Sequence, residues 1–195
     1  TPVDNIAVTL TPVRGSLTLS QTLTLAASVA DDLGAAGVTW SATSGTFSAR
    51  TATSATYVAP LTAGVVTITA TSAADPARSA SATLGVTDLA LVGTYHNDNA
   101  RDGANTREFA LTTANVNTAT FGKLFSCPVD GAIYAQPLWV SNLMINGAKH
   151  NVVIVATQHD SVYAFDADTG PFTTLWHASL RDAAHGATPG QTSAP

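Results

Sequence analysis

Alternation of apolar and polar side chains over residues 22–30, interrupted only by Ala26 and Ala30, is the feature that most limits how this chain can fold. In a β-strand, successive side chains lie on opposite faces, so a period of two gathers the apolar side chains on one face. The apolar face would carry Leu23, Leu25, Ala27 and Val29. The polar face would carry Thr22, Thr24 and Ser28. The pattern therefore predicts a half-buried strand rather than a helix.

Similar short segments recur from residue 6 to residue 86, separated by turn residues at intervals of about 8–12 positions. The candidate strands are Ile6–Leu10, Leu17–Leu19, Thr22–Ala30, Gly37–Ser41, Ala55–Val58, Val65–Thr71 and Ala80–Val86. About seven short strands with this spacing predict an all-β fold in which two sheets pack as a sandwich.

The composition excludes several classes of function. Charged residues make up 11% of the chain and the net charge is -5, so we expect no basic surface for nucleic acid or an anionic membrane. The apolar runs are far shorter than the roughly 20 residues that span a bilayer, so no membrane span is expected. A single cysteine, Cys127, leaves no internal disulfide. The composition predicts a protein that is secreted or displayed on the cell surface, and a start at Thr1 is typical of a chain that has been processed or cut from a longer one.

The sequence changes in character near Thr87-Asp88, where Ala/Thr/Ser strands give way to a polar, turn-rich segment over residues 95–105. Further candidate strands follow, namely Lys123–Ser126, Ala135–Val140, Asn151–Thr157, Ser161–Phe165 and Thr173–His177. The last four have the spacing of one four-stranded antiparallel sheet. We therefore predict a sandwich over 1–88, a second β module over 89–180, and a tail or linker over 181–195.

Three short motifs in the first half carry a family resemblance. They are Val38-Thr39-Trp40-Ser41, the segment from Ala55 to Pro60, and the segment from Gly64 to Ala70. On these motifs, residues 4–87 resemble the bacterial immunoglobulin-like (Ig-like) domains of surface proteins. The resemblance implies a spacer or adhesive sandwich with Trp40 as its core aromatic residue. Because the cysteine pair of antibody domains is absent, apolar burial must hold the two sheets together.

A second set of motifs lies in residues 93–177. One part is the polar segment from Tyr95 to Arg101 with Asn105, Thr106, Arg107, Leu111 and Asn115-Val116. The other part is Val153–Thr157 followed by Asp160, Tyr163, Ala164, Asp166, Thr169, Gly170 and Trp176. These residues are similar to the opening segment and one blade repeat of quinoprotein-type β-propellers, the fold of the pyrroloquinoline-quinone (PQQ) dehydrogenases and their non-catalytic relatives. The resemblance implies a blade-like sheet whose Trp176 docks against a neighbouring blade.

The repeat departs from the family pattern in two ways. The residues from Pro171 to Leu175 separate Gly170 from Trp176, which is two more than the usual repeat has, and no second copy of the motif occurs. A quinone site needs calcium ligands and stacking residues from several blades. We therefore predict no cofactor and no catalytic residue in this chain, and we do not expect it to be an enzyme by itself.

Calcium is the one metal for which the sequence offers partial motifs. Asp166 and Asp168 resemble half of a calcium loop, although Asp and Gly are also what a turn between two strands requires. Asp98, Asp102 and Gly103 occupy three positions of an EF-hand-like loop, but Ala100 and Phe109 stand where ligands should be. We expect turns at both places, with calcium as the alternative.

Nucleophilic and zinc sites have weaker support. The histidines show no short metal-binding spacing; they are His96, His150, His159, His177 and His185. His159, Asp160 and Ser161 are consecutive, and consecutive side chains on a strand or turn cannot form the geometry of a catalytic triad. Cys127 is more typical of buried packing than of a nucleophile.

Aromatic side chains are frequent in the second half and allow two interpretations. The residues are Tyr134, Trp139, Tyr163, Phe165 and Trp176. They could form a platform that binds a carbohydrate, or they could be alternating core residues of a sheet.

Together these features predict a non-catalytic structural or adhesive module that associates through β-sheet surfaces, with itself or with a neighbouring or downstream β domain. Self-assembly into an oligomer or filament is one form of this prediction. Two alternatives remain open: the amino-terminal part of a larger PQQ-type propeller dehydrogenase, and a carbohydrate-binding module.

Overall fold

A computed structural model describes residues 5–119, 121–170 and 173–181. These residues contain β-strands in three sheets and no helix, so the fold is all-β. The chain forms two compact units. The first comprises residues up to 88 together with 107–116, and the second comprises 89–106 together with residues from 117 onward. In the described part of the chain, no helix is long and apolar enough to cross a membrane.

The first unit is an Ig-like sandwich of two four-stranded sheets. Its strands are β1 (Ala7–Thr11), β2 (Arg14–Thr18), β3 (Thr22–Ala30), β4 (Val38–Ala42), β5 (Thr46–Arg50), β6 (Ser54–Val58), β7 (Gly64–Ser72) and β8 (Ser79–Thr87). One sheet has the order β1-β3-β6-β5 and the other has the order β2-β8-β7-β4. All neighbouring strands are antiparallel except β2 and β8, which are parallel.

Apolar side chains from both sheets fill the space between them. Leu25, Tyr57, Ile68 and Leu84 are fully buried there. The alternation that predicted β3 is confirmed, because Leu25 and Ala27 are buried while the threonines and Ser28 are exposed. Trp40 is 7% exposed, and its indole Nε1 donates a hydrogen bond to the Thr51 carbonyl oxygen at 2.9 Å.

Strand β5 was not predicted from the sequence. Its residues are exposed apart from the half-buried Phe47, so the strand shows no alternation of polar and apolar side chains. It lies at the edge of its sheet, where only one neighbour, β6, constrains it. An edge strand of this kind leaves no hydrophobic signal in the sequence.

Residues 107–116 pack on the first unit although they follow the predicted boundary near Thr87-Asp88. A Cβ atom at Gly85 of β8 would lie 2.5 Å from the Ala110 backbone nitrogen, so the segment and the strand approach closely only because residue 85 is glycine. Arg107 donates two hydrogen bonds to the Asp88 carboxylate, from Nε at 3.1 Å and from Nη2 at 2.8 Å.

The second unit is a blade-like antiparallel sheet. Its strands are β9 (Leu91–Val92), β10 (Leu138–Ile145), β11 (Ala148–Ala156), β12 (Ser161–Asp166) and β13 (Thr174–Ser179). Their order is β13-β12-β11-β10-β9, so each strand pairs with its neighbour along the chain. The four predicted strands are present, and the two-residue strand β9 adds a fifth at the edge.

Two details of the predicted second module were wrong. Residues 123–126 form no strand, and Leu124 is 91% exposed, so its apolar character reflects no burial. Strand β10 continues past Val140 to a tight hairpin at Asn146-Gly147, where both residues have positive φ angles of 51° and 81°. Asn-Gly is the dipeptide that such a two-residue hairpin turn prefers, so the sequence did contain the signal. The predicted tail, 181–195, lies outside the described residues except for Arg181.

Candidate functional site

The register of the second sheet assigns its side chains to two faces. Leu138, Ile154, Ala164 and Trp176 lie opposite one another across β10, β11, β12 and β13. A neighbouring row on the same face consists of Ala156, Val162 and Ala178. We call this the Trp176 face. The other face, which we call the Tyr163 face, carries Trp139, Val153, Val155, Tyr163, Phe165 and His177.

The five aromatic residues for which a binding platform was one of two interpretations do not share a surface. Trp139, Tyr163 and Phe165 lie on the Tyr163 face, whereas Trp176 lies on the opposite face of the same sheet. Phe165 is buried, and its ring stacks 5.7 Å from the ring of Tyr163. The five side chains therefore offer no common surface for a carbohydrate ligand.

The Tyr163 face is tied to a loop of the same unit. Asp130 accepts hydrogen bonds from the hydroxyls of two buried residues, Thr157 at 2.7 Å and Ser161 at 2.5 Å. The hydroxyl of Ser161, followed by that of Thr157, lowers the pKa of Asp130 below its ordinary value. The Gln158 amide also donates to the Ala132 carbonyl oxygen at 3.0 Å. These bonds fasten the loop to the end of β11 and the start of β12.

The Trp176 face is more exposed. Trp176 is 38% exposed, and Ala156 and Ala178 are exposed as well. The seven side chains named above are uncharged and apolar. The next row of the same face holds Val140, Val152 and Asp166, of which Val152 and Asp166 are buried. At its β10 end the face contains a groove of about 350 Å³. The groove is lined by Tyr95, Tyr134, Ala135, Gln136, Leu138, Ile154 and Ala156.

This groove has aromatic walls, and the side-chain amide of Gln136 in its lining is hydrogen-bonded. Tyr134 is 80% exposed and Tyr95 is 57% exposed, so both rings stand at its rim. The Tyr95 ring stacks on His96 with 3.9 Å between ring centroids. The Gln136 side chain accepts a hydrogen bond from the His96 amide at 2.9 Å and donates one to the Thr94 carbonyl oxygen at 3.4 Å. The groove therefore suits an apolar, uncharged occupant better than an ionic one.

Burial differs sharply between the two units. Among the described residues, sixteen buried hydrophobic side chains belong to the first unit and only four to the second. Those four are Val152, Val155, Ala164 and Phe165. Val152 and Ala164 belong to the Trp176 face, and Val155 and Phe165 belong to the Tyr163 face. Within its described residues, the second unit therefore has a much smaller apolar core than the first.

The turn after β12 accounts for the carboxylates predicted as half of a calcium loop. Asp166 is buried, and its Oδ1 accepts hydrogen bonds from the amides of Asp168 at 2.8 Å and Thr169 at 3.2 Å. Its Oδ2 lies 2.7 Å from Nδ1 of His150. Burial acts to raise the pKa of Asp166, but the His150 and amide hydrogen bonds outweigh it and lower this pKa. The Asp168 carboxylate instead accepts a hydrogen bond from the side-chain amide of Asn151 at 2.8 Å.

The second calcium candidate is likewise a hydrogen-bonded loop. The Asp98 carboxylate accepts a hydrogen bond from the Arg101 amide, and the Asp102 carboxylate accepts one from the Ala104 amide. His96, Asn97, Arg101 and Gly103 all have positive φ angles, so the loop is tightly wound. In the part of the chain that the structure describes, no three His, Cys, Asp or Glu side chains are placed to hold a metal ion.

Each residue of the blade motif has an identifiable place. Asp160 has a φ of 57° and ends the tight turn between β11 and β12, a conformation that Asp tolerates better than most residues. Ala164 is fully buried and pairs with Trp176 across β12 and β13. A Cβ at Gly170 would lie 3.0 Å from Cδ1 of Phe125, which explains the small residue there. Pro171 and Phe172, two of the five residues between Gly170 and Trp176, lie outside the described residues.

No family model and no curated protein matches the chain. The interpretation of the site therefore rests on its geometry. Of the nucleophile candidates, Ser161 donates its hydroxyl hydrogen bond to Asp130, and Cys127 is half-buried.

Sequence reasoning missed three features of this unit. Asp130 was overlooked because nothing near it in the sequence marks it as a partner of residues 157 and 161. The His150–Asp166 pair was overlooked because its members lie sixteen positions apart. Tyr95 was assigned to a polar segment, although its aromatic ring beside a strand could have indicated a groove wall.

Proposed function

We propose that this chain is a non-catalytic structural or adhesive module of the bacterial cell surface or exterior, in which an Ig-like sandwich carries a blade-like sheet that binds another β-sheet. The binding surface is the Trp176 face. The exposure of this apolar face, beside the loop-bonded Tyr163 face, is the observation that carries the proposal. The assignment to the exterior rests on composition alone.

The chemistry of the Trp176 face favours a sheet as its partner. Its side chains come from four adjacent strands, so they form a broad surface rather than a deep pocket. Two sheets pack face to face about 10 Å apart when apolar side chains from both fill the space between them. Alanines at 156 and 178 leave room for side chains from a partner, while Trp176 projects toward it.

A second candidate function places the partner in the same polypeptide. The consecutive antiparallel order of β10 to β13 is that of one propeller blade, and the exposed Trp176 is the residue that the repeat motif assigns to blade docking. On this proposal the chain opens a longer quinoprotein-type propeller whose next blade covers the Trp176 face. Further copies of the motif in the encoded protein immediately after Pro195 would favour this candidate.

Thiol labelling tests whether the Trp176 face is covered where the protein works. Ala178 is exposed, so an Ala178→Cys variant built on a Cys127→Ser background should react rapidly with a maleimide in the dilute purified chain. When the protein is labelled in the cells that produce it, the same thiol should react at least about tenfold more slowly, because a packed sheet excludes the reagent.

A matched control uses Met144, which is 58% exposed and pairs with Lys149 beyond the bulge in β10. A Met144→Cys thiol lies on the side of the sheet away from the proposed contact and should react equally fast in both settings. Equal labelling of the Ala178→Cys thiol in both settings would contradict the proposed function.

A further inference from the structure

The Trp176 face has a projection at one side and a groove at the other. Trp176 stands on the edge strand β13, while the groove beside Leu138 lies at β10. The two residues share one row across the sheet, three strand spacings apart, which corresponds to about 14 Å. The face therefore carries both a projection and a groove, at the same position along the strands.

We infer that the partner of this face is a second copy of the same chain, related by a two-fold axis. This inference rests on the proposed function, since it names the β-sheet that covers the Trp176 face. The proposed axis runs parallel to the strands. It lies between β11 and β12 and midway between the two facing sheets. The rotation exchanges β10 with β13 and β11 with β12 without moving residues along the strands.

This symmetry inserts each projection into a groove. Trp176 of one copy comes to lie over Leu138 of the other, where Tyr95 and Tyr134 form the groove walls. The contact occurs twice, once on each side of the axis, as an interface between identical surfaces requires. Near the axis, Ala164 faces Ile154 and Val162 faces Ala156, so small side chains allow the two sheets to approach.

Charge is consistent with self-pairing. A face that meets its own copy places like side chains near one another, and like charges there would repel. The seven residues that define the Trp176 face, and those that line its groove, are uncharged. The same face also carries His150 and Asp166 beyond these rows, where Asp166 is buried and bonded to His150 within its own chain.

The exposed aromatic side chains supply a substantial part of the area that a dimer interface needs. Taking about 200 Å² for a whole aromatic side chain, the exposed fractions of Tyr134, Tyr95 and Trp176 amount to about 350 Å². One side of a standard interface buries about 800 Å². The three aromatic residues would thus supply about two-fifths of one side, and the aliphatic side chains of the face add to it.

Sedimentation equilibrium of the whole chain tests the inference. The 19.8 kDa chain should reach twice that mass as its concentration rises. Trp176→Ala should weaken the dimer at least about thirtyfold, since a tryptophan seated in a groove is a typical hot spot. Met144→Ala, which removes an equally apolar side chain outside the contact, should leave the dimer unchanged.

A second variant keeps the test decisive if Trp176→Ala disturbs the fold. Tyr134 lies outside the strands and is largely exposed, so Tyr134→Ala should preserve the circular dichroism spectrum while weakening the dimer. In addition, maleimide labelling of Ala178→Cys should slow as the chain dimerises, whereas labelling of Met144→Cys should not.

The outcomes separate this inference from the proposed function. A chain that stays monomeric at millimolar concentration overturns self-pairing, and protection of the Ala178→Cys thiol in cells would then identify a different sheet as partner. A dimer that neither Trp176→Ala nor Tyr134→Ala weakens also overturns the inference, because its interface lies elsewhere. If the Ala178→Cys thiol reacts equally fast in cells and in the dilute purified chain, the proposed function itself is wrong.

Discussion

Nδ1 of His150 lies 2.7 Å from Oδ2 of Asp166, joining the start of β11 to the end of β12. The Asp166 side chain is 8% exposed, and its other oxygen accepts two backbone amides. One carboxylate thus pairs with an imidazole and accepts hydrogen bonds from two backbone amides of the turn that leads toward β13. Because these donors converge on a buried group, the turn depends on Asp166 more than on any exposed carboxylate around it.

Replacing Asp166 by alanine should destabilise the second unit by about 2 kcal/mol, since it leaves the imidazole and two amides without their acceptor. Hydrogen exchange of β11 and β12, followed by mass spectrometry, measures the loss. Asp166→Asn retains an acceptor oxygen and should cost less. An unchanged exchange rate in Asp166→Ala would show that water replaces the carboxylate at no cost.

Acid should reveal the same interaction. The folded-state pKa of Asp166 is lowered, so its stabilising contribution is fully present above the unfolded-state value near 3.9 and is lost as the pH falls through the folded-state value. The chain should therefore lose stability below about pH 4, and Asp166→Ala should lose less over that range than the wild type. The free energy of unfolding can be measured with urea between pH 2 and 5. If it falls equally steeply with decreasing pH in both proteins, this assignment is wrong.

Asp130 provides a separate test of how the loop is held. Asp130→Ala removes the acceptor of two buried hydroxyls, so it should speed hydrogen exchange in residues 130–134 and at the turn before β12. Each lost hydrogen bond should cost about 1 kcal/mol. Asp98→Ala is a matched control, because that carboxylate bonds within its own loop. Equal exchange in both variants would mean that packing alone holds the loop.

The sequence was sufficient wherever one face of a strand is buried. Leu25 and Ala27 alternate with exposed neighbours, and that alternation located β3 correctly. β5 escaped because its side chains are exposed apart from Phe47, and Leu124 misled because an apolar residue need not be buried. Burial on one face leaves a period in the sequence, and an edge strand or loop does not.

The candidate site was less predictable than the fold for a related reason. Membership of a face depends on register, and β10 and β13 both contain irregularities that shift it. Such a shift moves side chains between faces, so the separation of Trp139 from Trp176 could not be read from spacing alone. Asp130 reaches its hydroxyl partners across about 30 residues of chain, a distance over which no local pattern operates.

The Arg107–Asp88 ion pair should govern how closely residues 107–116 follow the first unit. The pair is exposed, its two hydrogen bonds lower the pKa of Asp88, and salt should screen it. Arg107→Ala should make the segment more susceptible to limited proteolysis with little change in the melting temperature. Arg101→Ala, an exposed arginine outside this pair, should not. A large fall in melting temperature would show that the segment is part of the sandwich core.

Gly45 should be one of the least replaceable glycines of the sandwich. Its φ is 77°, and an added Cβ would overlap the hydroxyl of Tyr57, which is fully buried and donates to the Ser44 carbonyl oxygen at 2.8 Å. Gly45→Ala must therefore strain the turn and displace a core ring, at a cost of about 2 kcal/mol or more. Gly34→Ala meets no atom within 4 Å and should be nearly neutral in thermal unfolding. If Tyr57→Phe, which removes the hydroxyl and its hydrogen bond, restores much of the stability of Gly45→Ala, the overlap with the hydroxyl is the main cause. If it restores none, the positive φ and the overlap of the added Cβ with the Val58 carbonyl oxygen, at 2.6 Å, dominate, because neither depends on the hydroxyl.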